Sequence, residues 1–190
     1  LFSNQYFNSE SISFDNLIQS KNLKLPHLEI DNTPRITCSQ LATLLQDPTS
    51  HDFNEILILD ARFPYEYRGG HILSSKNVTS QTSLKSIFNI YSKLNVCVIC
   101  HCEFSKNRGP LLYSILRNHD RSMNIYPKLS LPEMYVLHGG YKDFYEQYPG
   151  LCFGGYTKMR DKTFIQNGEL KRCNSNYIKL MKIPHSGLLK

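Results

Sequence analysis

The sequence predicts an α/β fold in which helices cover both faces of a central parallel sheet. Two short runs, EILILDA at residues 55–61 and LNVCVICH at residues 94–101, are apolar without alternation, as in strands that are buried on both faces. Segments with the apolar spacing of helices lie between and after these runs, and such alternation is typical of a parallel sheet. With 190 residues, of which 41% are hydrophobic, the chain is long enough to bury a core of this kind.

The first half of the chain contains a predicted helix, a strand and a turn-rich segment. The helix is predicted at TCSQLATLLQD, residues 37–47, where Thr37 can cap the N-terminus and three leucines fall at helical spacing. The strand EILILDA follows. The next segment, RFPYEYRGGHI at residues 62–72, contains a proline and two glycines, which favour turns.

The second half continues the alternation of helices and strands. Helices are predicted at residues 83–94 and 110–119, strands at 94–101 and 134–138, and a turn with a short helix at 139–150. This last helix carries aromatic side chains at positions i, i+3, i+4 and i+7, a stripe that predicts core packing rather than a ligand site: Tyr141, Phe144, Tyr145 and Tyr148.

We expect one domain over residues 28–164, preceded by a polar lead-in at residues 1–27 and followed by a basic tail at residues 165–190. Residues 158–190 contain eight Lys or Arg residues and two acids, so the formal charge of +6 lies largely near the C-terminus. This charge indicates either an anionic partner or an ordinary set of solvated Lys and Arg side chains. The longest apolar runs are far shorter than the roughly 18 residues that a membrane helix needs. Six cysteines without regular spacing or a secretory signal indicate thiols in a reducing compartment.

The segment HCEFSKNRGP, residues 101–110, joins a predicted strand to the helix that follows it. Ligands of parallel α/β domains bind at the carboxyl ends of strands, and the helix is expected to begin at or near Pro110, since proline suits the first helical position. Free backbone N–H groups and the helix dipole at that end favour an anion. The segment is therefore a candidate anion site.

Cys102 and Arg108 give this loop its chemistry. The five residues between them can curl so that successive amides point inward, with the Cys102 thiol at the bottom and the Arg108 guanidinium at the rim. Arginine offers two parallel N–H groups to two phosphate oxygens, and a positive environment lowers the pKa of a thiol. The pattern therefore predicts a thiolate that attacks phosphorus and forms a cysteinyl-phosphate, which water then hydrolyses.

Other roles for these residues stay open at this point. Cys102 could be a small buried hydrophobe at a strand end. A metal site built from Cys97, Cys100, His101 and Cys102 is disfavoured, because strand alternation would point adjacent members to opposite faces, so no metal is expected. Glu103 either turns away from the anion site or is held protonated, in which case it could act as a general acid.

Several motifs together resemble the M-phase inducer phosphatases, dual-specificity enzymes that remove inhibitory phosphates from cyclin-dependent kinases. HCEFSKNRGP resembles their active-site loop, and LILDARFPYEYRGGHI at residues 57–72 resembles their rhodanese-like segment. LPEMYVLHGGYKDFYEQYP at residues 131–149 resembles the segment after the catalytic helix, and LKLPHLEIDNTPRIT at residues 23–37 resembles the entry to the domain. The resemblance runs from about residue 12 to about residue 161 and implies a rhodanese-like α/β fold.

The resemblance also implies roles for individual residues. Cys102 would be the catalytic nucleophile and Arg108 the phosphate clamp, while Glu103 matches one proposed proton donor of the family. No cofactor is implied. The phosphate cradle would be lined by the amides of six consecutive residues: Glu103, Phe104, Ser105, Lys106, Asn107 and Arg108.

The family docks its substrate, a phosphorylated cyclin-dependent kinase with its cyclin, away from the active site. The matching positions are Arg117, Arg121 and Tyr126. Arg117 and Arg121 are spaced i, i+4 and lie off the core stripe of Leu111 and Ile115, so both should be exposed on one face. The alternative is a solvated helix end where positive charge suits the dipole. The family interpretation further implies a monomer of the cytoplasm and nucleus, without membrane or nucleic-acid binding.

One departure from the family concerns Ala61. Vertebrate members carry a second cysteine at this position, which can form a protective disulfide with the nucleophile. Any such protection here would need another thiol. Cys100 is the nearby candidate, although a strand would strain so short a loop.

Three rival functions use the same scaffold. Arsenate reductases share SKNRGP in the loop and bind a tetrahedral anion, but Glu103 with Phe104, the LPEMYVL segment and the docking set argue against this activity. A sulfurtransferase is disfavoured because its loop is typically one residue shorter. A catalytically weak module that only binds phosphoprotein is disfavoured by an intact Cys102 and Arg108.

Overall fold

The computed structural model describes residues 24–181, in which helices and strands alternate. The strands are β1 (Leu28–Ile30), β2 (Thr33–Ile36), β3 (Glu55–Asp60), β4 (Gly70–Ile72), β5 (Lys76–Asn77), β6 (Val96–His101), β7 (Met134–Leu137) and β8 (Cys152–Gly154). The α-helices are α1 (Cys38–Gln46), α2 (Pro64–Gly69), α3 (Gln81–Tyr91), α4 (Arg108–Met123), α5 (Gly140–Gln147), α6 (Lys162–Gln166) and α7 (Glu169–Met181). The helices and strands predicted between residues 37 and 150 are confirmed.

The main sheet has six strands in the order β1-β2-β7-β6-β3-β5. The pairs from β2 through β5 are parallel, and only the β1–β2 hairpin at one edge is antiparallel. Strand β6 lies between β7 and β3, and all six of its residues are buried, which explains why its sequence is apolar without alternation. The sequence did not predict the hairpin or a second, two-stranded antiparallel sheet of β4 and β8.

Two hydrophobic clusters lie on opposite faces of the main sheet, which confirms the prediction of helices on both sides. One cluster joins the sheet to α3 and α4, and the other joins it to α1 and α5. Successive side chains of β6 alternate between them, so that Cys97 lies in one cluster and Cys100 in the other. The candidate loop after residue 101 thus follows a strand that both clusters hold in place.

The segment predicted as a basic tail contains more structure than its sequence indicates. Helix α7 lies there and α6 crosses its predicted start, and Phe164 of α6 stacks on Tyr65 with ring centroids 4.2 Å apart. Tyr177 of α7 packs edge-on against Phe63 at 6.2 Å. These contacts join residues about 100 positions apart, so the local pattern could not show them. The predicted boundary at residue 164 stays a prediction, and residues 182–190 lie outside the described range.

Most of the predicted lead-in, residues 1–23, lies outside the described residues. Its last residues contact β7: the Lys24 N–H donates to the Glu133 carboxylate at 3.1 Å, and the Leu25 N–H donates to the Tyr135 hydroxyl at 3.2 Å. Within residues 24–181, no helix combines the length and the apolar character that a membrane crossing requires.

Candidate active site

The candidate loop lies between the end of β6 and the start of α4. Helix α4 begins at Arg108, so it starts near Pro110 as predicted, but Pro110 is the third residue of the helix and not the first. Gly109 allows the helix to approach the strand end, because a Cβ atom there would lie only 3.0 Å from the carbonyl carbon of His101. Cys102 is buried, with 4% of its surface exposed, at the base of the loop.

Three outside groups bind the carbonyl oxygens of this loop. The N–H groups of Tyr141 and Lys142, at the start of α5, donate to the carbonyls of Cys102 and Glu103 at 2.9 and 3.0 Å. The guanidinium of Arg35 on β2 donates to the carbonyl of Ser105 at 2.8 Å, and Ser105 itself has the left-handed φ of 49°. Within residues 24–181, no protein oxygen accepts from the amides of residues 103–107. These amides are therefore available to a bound oxyanion.

Gly140 makes the approach of α5 to the loop possible. Its φ is +72°, and a Cβ atom would lie 2.6 Å from the carbonyl oxygen of Cys102, a distance that real Cβ atoms do not adopt. Only glycine combines this backbone conformation with this contact. The N-terminus of α5 therefore lies directly against the backbone of residues 102–104.

Arg108 is held by a buried carboxylate that the sequence did not single out as its partner. Its two Nη atoms donate to the two oxygens of Glu66 at 2.5 and 3.1 Å, and the Phe63 N–H also donates to Glu66, at 2.9 Å. Burial raises the pKa of the fully buried Glu66, and Arg108 offsets part of that cost. The available signal was the position of Glu66 in the family-like segment 57–72, just after the proline that starts α2.

The ion pair with Glu66 leaves some N–H groups of the Arg108 guanidinium available to a ligand. A guanidinium carries five N–H donors, and Glu66 engages only one edge of it. The Phe63 ring lies 4.8 Å from the guanidinium carbon and restricts its other movements. Arg108 is thus oriented before any phosphate binds, as a clamp requires.

The side chain of Glu103 turns toward the segment that follows β8. It is 5% exposed and accepts from the Tyr156 hydroxyl at 2.6 Å and from the Met159 N–H at 3.4 Å. An Arg108 Nη atom lies 3.9 Å from Oε2 of Glu103, the oxygen that accepts from the Met159 N–H. Its hydrogen bonds to the segment after β8 fit the alternative in which the side chain turns away from the loop amides. A role for Glu103 as proton donor stays a prediction.

A buried charged cluster supports the loop from the strand ends. His101 Nε2 lies 3.7 Å from Asp60, whose carboxylate also binds Arg62, and the Arg62 guanidinium stacks on the Tyr141 ring at 3.7 Å. Burial would raise the pKa of Asp60, but His101 and Arg62 lower it below its ordinary value. Burial lowers the pKa of His101, and the neighbouring Asp60 carboxylate offsets part of that shift.

The other cysteines do not share the surroundings of Cys102. Cys97 lies on the opposite face of the sheet, and burial raises the pKa of Cys100 to about 12. Cys173 of α7, rather than Cys100, lines a surface pocket together with Ala61. Across residues 24–181, no group of three or more His, Cys, Asp or Glu side chains is placed to hold a metal ion.

The structure separates the three predicted docking residues. Arg121 is exposed, as expected, and Tyr126 is exposed too. Arg117 is only 4% exposed, so the prediction of an exposed Arg117 is wrong. Its guanidinium pairs with Asp120 at 3.0 Å and donates to the carbonyl oxygens of Leu131 and Pro132 at 2.7 and 3.0 Å. The segment that follows α4 folds back over this side of the helix and covers it.

Comparison with known proteins identifies the domain. The model of the rhodanese-like domain matches residues 37–147, more than half of the chain. The chain belongs to the rhodanese-like family. This rhodanese-like domain also superimposes on a yeast protein tyrosine phosphatase of the rhodanese family with a TM-score of 0.51 at 21% identity, over 64% of this chain and 92% of that one, which confirms the predicted fold.

Curated relatives confirm the resemblance seen in the sequence. The rhodanese-like domain is similar to the M-phase inducer phosphatase of Emericella nidulans, with 35% identity over 79% of this chain and 28% of the relative. M-phase inducer phosphatase 3 of Homo sapiens shares 39% identity over 71% of this chain and 30% of the relative. The M-phase inducer phosphatase of Dictyostelium discoideum shares 37% identity over 70% of this chain and 13% of the relative. The chain therefore spans less than a third of the length of these relatives.

Proposed function

We propose that this domain is a dual-specificity protein phosphatase. It removes inhibitory phosphates from Tyr and Thr of a cyclin-dependent kinase bound to its cyclin, and so promotes mitotic entry. The names of the curated relatives support a cell-cycle phosphatase. The observation that carries the proposal is the loop from Cys102 to Arg108, in which a buried thiol is followed by amides without a protein acceptor and a carboxylate holds the arginine.

The proposed reaction has two displacements at phosphorus. The Cys102 thiolate attacks, an S–P bond forms, and the P–O bond to the Tyr or Thr oxygen breaks; that oxygen leaves with the bonding pair and takes up a proton. Water then attacks the cysteinyl-phosphate, its oxygen forms a P–O bond, and the thiolate leaves with the S–P pair. Glu103 is the candidate proton donor for the first step.

The amides and Arg108 would stabilise the negative charge that passes through both transition states. The carbonyls of the loop are already bound by Arg35 and by the start of α5, and Arg108 is already bound by Glu66. Donors fixed in this way need little reorganisation during the reaction, which is the condition under which electrostatic stabilisation is most effective.

Hydrolysis of an aryl phosphate tests the phosphatase chemistry. Wild-type protein should hydrolyse it, while Cys102→Ser should lose activity by several orders of magnitude, because the alcohol lacks the nucleophilicity of the thiolate. Equal rates for the two proteins would disprove the proposal. Efficient arsenate reduction with a thiol donor, beside negligible aryl phosphate hydrolysis, would instead assign the site to arsenate.

The protein substrate requires a separate measurement. We expect wild-type protein to release phosphate from both the Tyr and the Thr of a phosphorylated cyclin-dependent kinase–cyclin complex. Docking of this complex through Arg121 and Tyr126 is part of the proposal, since both side chains are exposed at the far end of α4. A cytoplasmic and nuclear monomer without nucleic-acid or membrane binding is also proposed. A domain that hydrolyses aryl phosphate but leaves the complex phosphorylated would lack the proposed substrate.

A further inference from the structure

Helix α7 lies against α2 and runs in the opposite direction. In the first turn of α7, Glu169 pairs at 2.8 Å with Arg68, which lies in the last turn of α2. Eight residues further along α7, the ring of Tyr177 packs edge-on against Phe63, which directly precedes α2. The later part of α7 therefore lies where α2 begins.

One face of α7 makes these contacts. Glu169, Cys173 and Tyr177 are spaced i, i+4 and i+8, so they lie on the same side of the helix. Between the two end contacts, Cys173 lines a surface pocket together with Tyr177, Ala61 and Phe63. The position of Tyr177 is therefore fixed by contacts along about 12 Å of helix.

Phe63 connects Tyr177 to the candidate phosphate site. The Phe63 ring contacts the Tyr177 ring and also lies 4.8 Å from the Arg108 guanidinium carbon. Phe63 is 5% exposed, whereas Tyr177 is only half-buried, so the ring of Tyr177 keeps part of its surface for a ligand. A partly exposed aromatic ring therefore lies one side chain away from the arginine that would bind phosphate.

The ionisation of Tyr177 suits this place. Burial raises the pKa of its hydroxyl to about 12, while the charge of Arg108 lowers this pKa and that of Cys102 raises it. Both residues of the candidate site are thus near enough to influence the Tyr177 hydroxyl. Near neutral pH the phenol is uncharged, so Tyr177 does not repel a phosphate dianion.

The two proposed target residues differ in what lies next to the phosphate. In phosphotyrosine an aromatic ring separates the phosphate from the backbone, whereas in phosphothreonine only one methyl-bearing carbon does. A phosphate bound in the cradle would therefore bring a ring beside Tyr177 in one case and a methyl group in the other. Aromatic rings attract each other in offset or edge-to-face arrangements, with centroids about 4.5–7 Å apart.

We propose that Tyr177 is a specificity-determining residue, whose ring packs against the ring of a phosphotyrosine held in the cradle and so favours phosphotyrosine over phosphothreonine. This inference rests on the proposed phosphatase function and names the phosphorylated residue that the site prefers. The loop amides and Arg108 bind the phosphate group that both residues share, so these donors do not discriminate between them. The ring of Tyr177 does.

Two phosphopeptides test the contact, identical in sequence except that one carries phosphotyrosine and the other phosphothreonine. Tyr177→Ala should lower the ratio of kcat/KM for the phosphotyrosine peptide to that for the phosphothreonine peptide by about two- to twelvefold, the effect of one aromatic pair. Tyr177→Phe keeps the ring and should keep the ratio. Ile178→Ala is the matched control, since Ile178 is the next residue of α7 and is 45% exposed, and this change should leave the ratio unaltered.

The ratio separates selection from structural support. If the loss of the Tyr177 ring disturbed Phe63 and Arg108, both peptides would react more slowly and the effect would cancel. Equal ratios for Tyr177→Ala and wild type would overturn the inference. A ratio as low in Tyr177→Phe as in Tyr177→Ala would overturn it as well, because the hydroxyl rather than the ring would then select. So would a lowered ratio in Phe104→Ala beside an unchanged one in Tyr177→Ala, since Phe104 is an exposed aromatic residue of the loop itself.

Binding of phosphonates tests the same contact without turnover. Benzylphosphonate carries a ring and ethylphosphonate does not, and the enzyme cannot hydrolyse the C–P bond of either. Tyr177→Ala should weaken the binding of benzylphosphonate about two- to twelvefold more than that of ethylphosphonate, measured by titration calorimetry. Equal weakening of the two would overturn the inference. Wild-type protein that shows this ring preference in binding but hydrolyses neither aryl phosphate nor peptide would support the contact and show that the proposed function has failed.

Discussion

The buried pair of Glu66 and Arg108 gives a test of how far the cradle is organised in advance. In Glu66→Gln, one side-chain oxygen can keep the Phe63 N–H and one Arg108 Nη, but the new NH2 group faces the second Nη, a donor against a donor. A hydrogen bond to a charged group contributes about 1.5–3 kcal/mol. Because burial raises the pKa of Glu66, the substitution also removes a desolvation cost, so the loss stays below the about 3–5 kcal/mol of an orphaned buried charge.

We expect Glu66→Gln to lower the free energy of unfolding by about 2–3 kcal/mol, which corresponds to a fall in Tm of about 4–12 °C for a domain of this size. Hydrolysis of an aryl phosphate should fall by about 100-fold, because Arg108 is no longer fixed in the orientation that the transition state requires. Urea unfolding and steady-state kinetics on the same preparation measure the two effects.

Glu169→Gln is the matched control. Glu169 also binds an arginine, Arg68, at 2.8 Å, but this pair lies at the surface and should contribute at most about 1 kcal/mol. The reasoning would be refuted if the two variants unfolded at the same urea concentration and Glu66→Gln kept wild-type kcat/KM.

Three further predictions concern the support of the loop and the pH dependence of stability. Gly140→Ala should destabilise the domain by about 1–3 kcal/mol and reduce kcat, because its Cβ collides with the carbonyl of Cys102; normal unfolding and kinetics would contradict the close approach. Arg35→Met should leave the carbonyl of Ser105 without its donor and should lower kcat more than it changes KM. Arg35→Lys should restore part of the lost kcat. Equal kcat for Arg35→Met and wild type would exclude a positioning role for Arg35. Burial lowers the pKa of His119, so its contribution to stability is complete above its ordinary pKa of about 6.5 and is lost as the pH falls below that value. The free energies of urea unfolding at about pH 7.5 and about pH 5.5 should therefore differ less for His119→Gln than for wild type. An equal difference in the two proteins would show that His119 does not cause this pH dependence.

The sequence predicted the features that depend only on residues close together in the chain. Strand β6 reads as buried because every residue in it is buried, and the loop after it is a candidate anion site because five residues and a helix start follow Cys102. Thr37 caps α1 as predicted, since its side chain and that of Gln40 form a reciprocal capping box. None of these inferences needed a partner from elsewhere in the chain.

Contacts between residues far apart in the chain could not be predicted from the local sequence pattern. Glu66 and Arg108 are 42 positions apart, and nothing in the spacing of either residue names the other. Arg117 was expected to be exposed because it lies off the apolar stripe of α4, but helical periodicity identifies only the face that meets the sheet. The segment up to Pro132 covers a second face of the helix, and a periodicity argument cannot detect such a cover.

The cradle consists of seven consecutive residues, yet its supports are spread over most of the domain. Arg35 reaches it from β2, Glu66 from α2, Tyr141 from α5 and Tyr156 from the segment after β8. A chain in which only part of the sheet has formed would therefore contain the loop residues but would lack the contacts that fix the loop conformation. Recovery of aryl phosphate hydrolysis after refolding should follow assembly of the complete sheet, and partly folded forms of the protein should show none of it.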